Sequence, residues 1–239
     1  MTSQSLKGKT ALITGASRGI GASVAKLLAK EGAHVILIAR TIGGLESVDD
    51  EIKKFGGKAT LMPLDLAKLN DLDMLGPTLH QHFPKLDIFI GNAAMLGTMA
   101  PLGHLKPDEW QKVMDLNVTA NFRLIRTLDP LLKASEAGRV VFVTSGITQS
   151  FKAYWGEYAV SKAALEGLAK TYASECANTN VRVNILDPGR VRTAMRAQAY
   201  PGEDPSIRPH PDDMAHHFLK LVTNDCTMNG EVLEVPSEK

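Results

Sequence analysis

The sequence predicts an α/β fold, with one domain over residues 1–239 built on a doubly wound parallel sheet of about seven strands. Short apolar runs alternate with longer helical stretches along the chain, as expected when a crossover helix follows each strand. Most of these apolar runs are continuous rather than alternating, which is typical of strands covered on both faces. No repeat, low-complexity tract or linker divides the chain.

The individual elements follow in a regular order. Seven apolar runs predict the strands, at 10–14, 34–39, 59–65, 87–93, 139–145, 181–188 and 231–235. Helical patterns predict six helices, at 19–31, 44–55, 70–82, 107–133, 155–177 and 211–223. The segment 193–212, rich in Pro, Arg and acidic residues, breaks this order after the sixth strand. Because ligands bind at the carboxyl edge of such sheets, we expect this segment to cover the substrate; the alternative is a surface loop without a role.

Composition and charge exclude several classes of protein. Hydrophobic residues make up 44% of the chain and charged residues 22%, which is ordinary for a globular domain and wrong for a disordered one. The net charge of +1 favours neither nucleic acid nor an anionic membrane as a partner. The N-terminus MTSQSLKGK lacks the apolar core of a signal peptide, and no apolar run approaches the ~18 residues of a membrane span. We therefore expect a cytoplasmic protein.

The cysteines and histidines do not predict a metal site. Cys176 and Cys226 match no metal-ligand or Cys-x-x-Cys spacing, so we expect both to be reduced thiols. His210, His216 and His217 lie near the variable segment, where solvated or capping roles are the expectation.

A glycine-rich turn, TGASRGIG at 14–21, lies between the first apolar strand and an amphipathic helix. Gly15 permits the turn, Gly19 lets the backbone approach a pyrophosphate, and Gly21 lets helix and sheet pack closely. The helix begins within the turn, so its free N–H groups and its dipole face the phosphates. In this strand–turn–helix context the glycines predict nucleotide binding.

Charges beside the second and third strands indicate which nucleotide binds. An acidic residue after the second strand is typical of NAD binding, whereas Arg accommodates the 2′-phosphate of NADP. No carboxylate occupies 38–42, and Arg18 and Arg40 both reach this region, so we favour NADP(H). If Arg40 only stacks on adenine, NAD(H) remains possible. Asp65 is placed to accept from the adenine amino group, or alternatively to cap the following helix.

Three further residues predict the chemistry. Ser145 ends the fifth strand, and Tyr158 and Lys162 lie four residues apart on one face of the next helix. An ammonium about 4 Å from a phenol, at an effective dielectric of ~20, favours phenolate by up to ~4 kcal/mol. We therefore expect Lys162 to lower the pKa of Tyr158 toward neutral pH. Tyr158 would exchange a proton with the substrate oxygen, Ser145 would hold that oxygen, and Lys162 would also bind the nicotinamide ribose.

With these motifs the chain resembles the short-chain dehydrogenase/reductase family in its roughly 250-residue form. The likeness extends from Lys9 to Val235. The matching motifs are TGASRGIG (14–21), Asp65, GNAA (91–94), DLNV (115–118), Ser145, YAVSK (158–162) and DPGRVRT (187–193). A closer similarity is to an uncharacterised bacterial subgroup, which shares Trp155–Gly156 and the stretch RTAMRAQAYPGEDP. That subgroup suggests no substrate.

The resemblance also implies the roles of individual residues within a Rossmann-like fold. It adds Asn117 to Ser145, Tyr158 and Lys162 as a fourth catalytic residue, holding a water that connects Lys162 to a proton relay. From the residues alone, Asn117 is as well explained by a structural role inside a helix. The implied cofactor-binding set is Gly15, Ser17, Arg18, Gly19, Ile20, Gly21, Arg40, Asp65, Leu66, Asn92, Ala93, Tyr158, Lys162, Pro188, Gly189, Val191 and Thr193.

Two residues depart from the family pattern beside the cofactor. Ala94 stands where the family usually has Gly, and Gly91 where it usually has Asn. Both changes are small in volume and would tighten or loosen the floor of the cofactor site. Pro188 and Gly189 match the loop under the nicotinamide, and Thr193 matches the residue that meets its carboxamide.

The predicted function is an NADP(H)-dependent oxidoreductase that transfers a hydride between nicotinamide and a small-molecule carbonyl or secondary alcohol. One alternative is an NAD(H)-dependent alcohol dehydrogenase of the same family. Another, of a different class, is a non-catalytic dinucleotide-binding sensor or scaffold, which would be expected to lose Tyr158 or Lys162. Trp155 is interpreted either as a substrate wall or as an interface residue.

A homodimer or homotetramer is also predicted. The helix that carries Tyr158 contains small residues, which let another helix approach closely, and family members often pair this helix and the preceding one. These residues are Ala159, Ala163, Ala164, Gly167, Ala169 and Ala173. The alternative is that they serve packing within one chain.

Overall fold

Seven parallel strands form the central sheet of the computed structural model, which describes residues 4–236. The ends of the predicted domain, 1–3 and 237–239, lie outside the described residues. The strands are β1 Thr10–Thr14, β2 His34–Ala39, β3 Lys58–Pro63, β4 Ile88–Gly91, β5 Arg139–Val143, β6 Arg182–Asp187 and β7 Val232–Glu234. Their order is β3-β2-β1-β4-β5-β6-β7, and every neighbouring pair is parallel. The predicted doubly wound sheet is confirmed.

Helices cover both faces of the sheet, which explains why the strands are apolar throughout. Successive residues of β1 point to opposite faces, so Ile13 packs with Leu28 on one side and Leu12 packs with Leu124 on the other. The helices are α1 Gly19–Lys30, α2 Ile42–Lys54, α3 Leu69–Leu72, α4 Leu75–His80, α5 Pro107–Met114, α6 Ala120–Lys133, α7 Ile147–Ser150, α8 Gly156–Glu175, α9 Ala194–Ala199, α10 Pro211–Ala215 and α11 Leu219–Val222. No helix among residues 4–236 has the length and apolar character needed to cross a bilayer.

Three of the predicted helices are interrupted. The stretch 70–82 forms α3 and α4, and 211–223 forms α10 and α11 around a short 3₁₀ segment. The stretch 107–133 forms α5 and α6, joined by a π-helical turn at Asp115–Thr119. The short helices α7 and α9 were not predicted, and α9 gives part of the predicted loop 193–212 a regular structure.

The order of the strands reverses between β1 and β4. Strands β2 and β3 extend the sheet on one side of β1, and β5, β6 and β7 extend it on the other side of β4. In a doubly wound sheet this switch point opens a crevice at the carboxyl ends of the strands. The glycine turn begins at the end of β1 and the GNAA segment begins at Gly91, the last residue of β4, so both lie at this crevice.

The small residues of α8 do not all face outward. Ala159, Ala169 and Ala173 are buried within the subunit, and Gly167 is exposed. Part of this small-residue pattern therefore serves packing inside the chain, which was the alternative interpretation.

Candidate active site

One large cleft, about 1290 Å³ in volume, opens at the carboxyl edge of the sheet. All of the predicted site residues line it except Gly21 and Asn117. Those that do are Gly15, Ser17, Arg18, Gly19, Ile20, Arg40, Asp65, Leu66, Asn92, Ala93, Ser145, Tyr158, Lys162, Pro188, Gly189, Val191 and Thr193. Residues far apart in sequence therefore meet in a space large enough for an extended ligand.

The glycine turn has the geometry that its sequence predicts. Gly15 and Gly19 have φ values of +65° and +56°, which residues with side chains rarely adopt. A Cβ atom at Gly21 would lie 2.3 Å from the carbonyl oxygen of Gly15, so Gly21 is needed for close packing of α1 on the turn. No side chain caps the first turn of α1, where Arg18 is the N-cap residue. Its backbone N–H groups are available to an anion in the cleft.

A reciprocal set of hydrogen bonds joins the ends of β1 and β4 beneath this turn. The Thr14 hydroxyl donates to the Ile90 carbonyl at 3.2 Å and accepts from the N–H groups of Asn92 and Ala93 at 3.0 and 3.1 Å. The Asn92 amide donates in return to the Thr14 carbonyl at 2.9 Å. The predicted cofactor residue Asn92 thus also fixes the floor of the cleft.

Gly91 and Ala94, the two residues that depart from the family pattern, have different surroundings at the floor of the cleft. Gly91 lies in β4, and a Cβ atom there would come within 2.5 Å of the Phe142 ring. A larger residue at 91 would therefore need Phe142 to move. Ala94 lines the cleft.

Positive charge lies beside the ends of β1 and β2. Arg18 and Arg40 line the cleft there, and neither forms an ion pair with a carboxylate of residues 4–236. Thr41 and Gly44 at the start of α2 line the same end and were missed by sequence reasoning. A Cβ atom at Gly44 would lie 2.8 Å from the Ser17 side chain. The two consecutive glycines after β2 could therefore have indicated, from the sequence alone, that the start of α2 packs closely against the glycine turn.

Asp65 lies two residues beyond β3, not within it as predicted. Its carboxylate accepts from the Ala67 N–H at 3.1 Å, which forms a local turn. Helix α3 begins at Leu69 with Lys68 as its N-cap, so the alternative that Asp65 caps this helix is wrong.

Tyr158 and Lys162 lie on the buried face of α8, with Ser145 just after β5. Tyr158 is 7% exposed and Lys162 is 2% exposed. The Lys162 Nζ donates to the Val143 carbonyl at 2.7 Å and lies 5.7 Å from the centroid of the Tyr158 ring. Ser145 lines the cleft beside Tyr158 and is near enough to lower the pKa of its phenol. The three residues therefore form one group on the wall of the cleft.

The prediction that Lys162 lowers the pKa of Tyr158 is wrong for this arrangement. Burial raises the pKa of Tyr158 to about 12, although the nearby Ser145 hydroxyl opposes this rise. Burial lowers the pKa of Lys162 to about 8, opposed by the carboxylates of Glu166 and Asp187. Because the ammonium is directed at the Val143 carbonyl, desolvation has the larger effect on both groups.

The Asn117 side chain lies in the π-helical turn and holds the segment that follows β4. It accepts from the Met95 N–H at 2.9 Å and donates to the Met95 carbonyl at 3.0 Å and to the Ser161 hydroxyl at 2.9 Å. Among residues 4–236 no direct hydrogen bond joins Asn117 to Lys162. The water-mediated role of Asn117 stays a prediction, and the side chain has a structural role in any case.

An apolar group surrounds Tyr158 on its other side. Leu96, Ile147 and Ala159 are buried with it, and Met195 and Ala199 of α9 pack against them. Leu96, Met195 and Ala199 were not predicted as site residues, because their types alone carry no chemical signal. Trp155 lines the cleft, with its ring centroid 5.9 Å from that of Tyr158.

The residues present fit a dinucleotide cofactor. Two glycines with positive φ and the start of α1 offer backbone N–H groups to phosphates, and two arginines lie at one end of the cleft. A hydroxyl pair and an ammonium lie on the same cleft near Pro188 and Gly189. Among the described residues, 4–236, no group of three or more His, Cys, Asp or Glu side chains could hold a metal ion.

Comparisons with known proteins agree with this geometry. A family model described as short chain dehydrogenase matches residues 9–204. The uncharacterized oxidoreductase YciK of Escherichia coli K12 is 38% identical over 223 residues, covering 92% of this chain and 88% of that protein. The structure of a short chain dehydrogenase of Escherichia coli CFT073 complexed with NADPH is 37% identical, with a TM-score of 0.92 and coverage of 97% and 98%.

A short chain dehydrogenase of Shigella flexneri 2a complexed with NADP gives a TM-score of 0.92 at 36% identity, covering 98% of this chain and 99% of that one. The predicted likeness to uncharacterised bacterial reductases is thereby confirmed. The matches extend over nearly the whole chain and agree with the sheet order and the cleft. This chain belongs to the short-chain dehydrogenase/reductase family and is an oxidoreductase of the kind that uses a nicotinamide cofactor.

Proposed function

We propose that the protein is an NADP(H)-dependent oxidoreductase acting on a carbonyl or secondary alcohol, with Tyr158 as the general acid and base. The observation that carries this proposal is one cleft in which Tyr158, Ser145 and buried Lys162 line the same space as the glycine turn. The nicotinamide of the bound cofactor supplies or accepts the hydride.

Tyr158 donates its proton to the carbonyl oxygen in the reductive direction. Burial raises its pKa to about 12, so at neutral pH the phenol carries the proton that this step requires. Ser145 holds the same oxygen through its hydroxyl and keeps the phenol aligned. In the oxidative direction Tyr158 must first lose its proton, and its phenolate then takes the proton of the alcohol, so a pKa of about 12 favours the reductive direction at neutral pH.

Lys162 supplies positive charge and a hydrogen-bond donor next to the phenol. With a pKa of about 8 it is mostly protonated at neutral pH. Its positive charge stabilises negative charge that develops on the phenol or the substrate oxygen, which the surrounding apolar side chains solvate poorly. In our proposal it turns from the Val143 carbonyl to the ribose hydroxyls of the cofactor. Asn117 supports the site by fixing the Met95 backbone at its edge.

Replacement of Tyr158 by phenylalanine tests this proposal. We expect NADPH-dependent turnover to fall by about 10²–10⁴-fold, whereas the Kd for NADPH changes by less than about threefold. Tyr154→Phe is the matched control, since Tyr154 is 59% exposed and lies in the segment before α8. Undiminished turnover in Tyr158→Phe would contradict the assignment. Tight NADPH binding with no turnover of any carbonyl by the unchanged protein would favour a sensor instead.

The preference for NADP(H) rests on Arg18 and Arg40, which line the cleft beside the ends of β1 and β2 and form no ion pair within residues 4–236. Charge-assisted hydrogen bonds from arginine suit a 2′-phosphate. Solved relatives in complex with NADPH and with NADP support the same choice.

Calorimetric titration of both cofactors against Arg40→Ala tests this preference. We expect the Kd for NADPH to rise about tenfold or more and the Kd for NADH to change little. Arg126→Ala, which removes an exposed arginine outside the cleft, is the control. If NADH binds the unchanged protein as tightly as NADPH does, the enzyme is an NAD(H)-dependent dehydrogenase.

We further propose that the protein is a homodimer or homotetramer in which α6 and α8 pair with their counterparts. Phe122 on α6 is 50% exposed and Val160 on α8 is 39% exposed, which leaves apolar surface on both helices. Light scattering at micromolar concentration tests the proposal, and Phe122→Asp is expected to favour the monomer. A monomer of the unchanged protein would contradict it.

A further inference from the structure

Glu157 is a buried acidic residue that the reaction as proposed does not use. It lies in the first turn of α8, next to Tyr158 in the sequence, and is only 1% exposed. One oxygen of its carboxyl group, Oε1, accepts from the Thr98 N–H. The other, Oε2, is buried and has no hydrogen-bond partner within residues 4–236. Burying an unpaired carboxyl oxygen is unfavourable, and an apolar side chain would fill the same space without that penalty, so packing alone does not explain this residue.

The backbone opposite Glu157 has a conformation that admits the carboxyl group. Gly97 has a φ value of +75°, which residues with side chains rarely adopt. A Cβ atom at Gly97 would overlap Oε1 of Glu157. The glycine therefore lets the chain pass close enough for the next residue, Thr98, to donate its N–H to Glu157.

The segment 95–102, which contains this contact, forms one side of the cleft. Met95 and Leu96 line the cleft, and Leu96 is buried together with Tyr158. The Asn117 side chain binds both the N–H and the carbonyl of Met95, which fixes the beginning of the segment. The rest of the segment depends on other contacts.

Those other contacts are all made with the start of α8. They are the hydrogen bond of Thr98 to Glu157, a parallel bridge between Ala100 and Trp155, and the packing of Leu102 against Gly156, where a Cβ atom would overlap the leucine side chain. The bond to Glu157 is the nearest of the three to the residues that line the cleft, and it is made by a side chain with a direction of its own. It therefore decides how far Leu96 stands from Tyr158.

We propose that Glu157 is a positioning residue, which holds the segment 95–102 in place as the side of the substrate site that faces Tyr158. Apolar substituents of the substrate would pack on Met95 and Leu96 while the reacting oxygen lies at the Tyr158 hydroxyl. Because Glu157 and Tyr158 are neighbours on one helical turn, the bond to Thr98 fixes this side of the site relative to the proton donor. The inference rests on the proposed function and adds to it a residue that does not touch the substrate.

Replacement of Glu157 by leucine tests the positioning role. Leucine fills the space but accepts no hydrogen bond, so we expect KM for the carbonyl substrate to rise about tenfold while kcat and the Kd for NADPH each change less than about threefold. Contacts with an unreactive part of the substrate are equally strong in the ground state and the transition state, which is why KM changes and kcat does not. The probe is whichever of diacetyl, benzaldehyde and phenanthrenequinone the unchanged protein reduces fastest with NADPH.

Two further readouts distinguish positioning from a general effect on stability. Glu157→Gln keeps an acceptor oxygen and should return KM to within about threefold of the unchanged protein. The Tm of Glu157→Leu should be no lower than that of the unchanged protein, because the unpaired buried oxygen is removed and Thr98, which is exposed, can donate to water instead.

Hydrogen exchange follows the segment without any substrate. In Glu157→Leu the amides of residues 95–98 should exchange about tenfold faster or more, while those in the second half of α8 keep their rates. Glu109→Gln is the matched control, since Glu109 accepts from the Thr98 hydroxyl at 2.9 Å and its replacement leaves the Thr98 N–H bonded to Glu157. This control should alter neither KM nor the exchange rates.

The possible outcomes separate this inference from the proposed function. No turnover of any carbonyl compound by the unchanged protein refutes both. Where the unchanged protein is active, an unaltered KM or unaltered exchange at 95–98 in Glu157→Leu overturns the inference and leaves the function standing. A KM that Glu157→Gln does not restore overturns it as well, and so does a loss of kcat and NADPH affinity that accompanies a fall in Tm of more than about 5 °C.

Discussion

Replacing Lys162 by methionine is expected to stabilise the protein while removing its activity. The Lys162 side chain is 2% exposed, and burial lowers its pKa from 10.5 to about 8. At about 1.4 kcal/mol per pK unit, keeping this ammonium protonated in the folded state costs about 3 kcal/mol at pH 7. Methionine keeps most of the apolar stem and removes that cost.

Part of the gain is offset by a lost hydrogen bond. Lys162 donates to the Val143 carbonyl at 2.7 Å, and leaving this buried acceptor unpaired costs about 1 kcal/mol. We therefore expect Lys162→Met to raise the free energy of unfolding by about 2 kcal/mol at pH 7. For a chain of this length such a gain corresponds to a rise in Tm of about 4–8 °C.

The pH dependence of this difference provides a sharper measurement. Because the pKa of Lys162 is lower in the folded state than in the unfolded state, the penalty is fully present below about pH 8. It is lost as the pH rises from about 8 to 10.5, so the advantage of the variant should disappear over this range. Urea denaturation at pH 7 and at pH 10.5 measures both values.

Lys170→Met is the matched control, because Lys170 is exposed on the same helix. It should change the free energy of unfolding by less than about 0.5 kcal/mol. If Lys162→Met is less stable than the unchanged protein by more than about 1 kcal/mol at pH 7, the reasoning from burial is refuted.

Three other substitutions are expected to act on the framework of the site, and urea denaturation measures each. Gly21→Ala should cost at least about 2 kcal/mol and weaken NADPH binding, because its Cβ would lie 2.3 Å from the Gly15 carbonyl oxygen. Asp87→Ala should cost about 3 kcal/mol of the free energy of unfolding. Burial alone would raise the pKa of Asp87, but hydrogen bonding to Ser135 and the nearby lysines outweigh burial and lower it. The contribution of Asp87 to stability is therefore present above pH 3.8 and is lost as the pH falls. Thr14→Val should cost about 2 kcal/mol, because two backbone N–H groups lose their acceptor. A cost below about 0.5 kcal/mol in any of them would contradict the contact on which it depends.

Strands and the glycine turn could be predicted because their signals are local. A continuous apolar run such as 34–39 is a consequence of burial on both faces, and the glycines of 14–21 reflect backbone angles at those same residues. Ser145 comes at the end of the fifth strand and Tyr158 at the start of the helix that follows it, so both could be placed at the same edge of the sheet.

Breaks in the helices could not be predicted because distant contacts cause them. A Cβ atom at Gly76 would lie 2.0 Å from the Thr127 carbonyl oxygen, so α4 must approach α6 closely at a residue 51 positions away. Similarly, the π-helical turn contains Asn117, whose side chain binds the backbone of Met95, 22 positions away. Neither partner is evident from the periodicity of the helix itself.

Electrostatics of the proton donor also required the folded structure. The spacing of Tyr158 and Lys162 correctly placed both on one helix face, but their distance and their solvation depend on what packs around them. The Val143 carbonyl binds the ammonium, and burial raises the pKa of the phenol. The contacts of Arg196 could not be predicted either, because its stacking on Tyr200 accompanies a hydrogen bond to Glu203, seven positions away.

The hydrogen bonds between Thr14 and Asn92 limit how this site can be truncated or grafted onto another protein. Its two members are separated by 78 positions, so a fragment that stops before β4 would keep every glycine of the turn and lose what anchors it. Grafting TGASRGIG onto another strand–helix junction would fail for the same reason unless a matching asparagine came from a neighbouring strand. Affinity for the nucleotide belongs to the assembled pair of strand ends, and the eight-residue motif is only half of it.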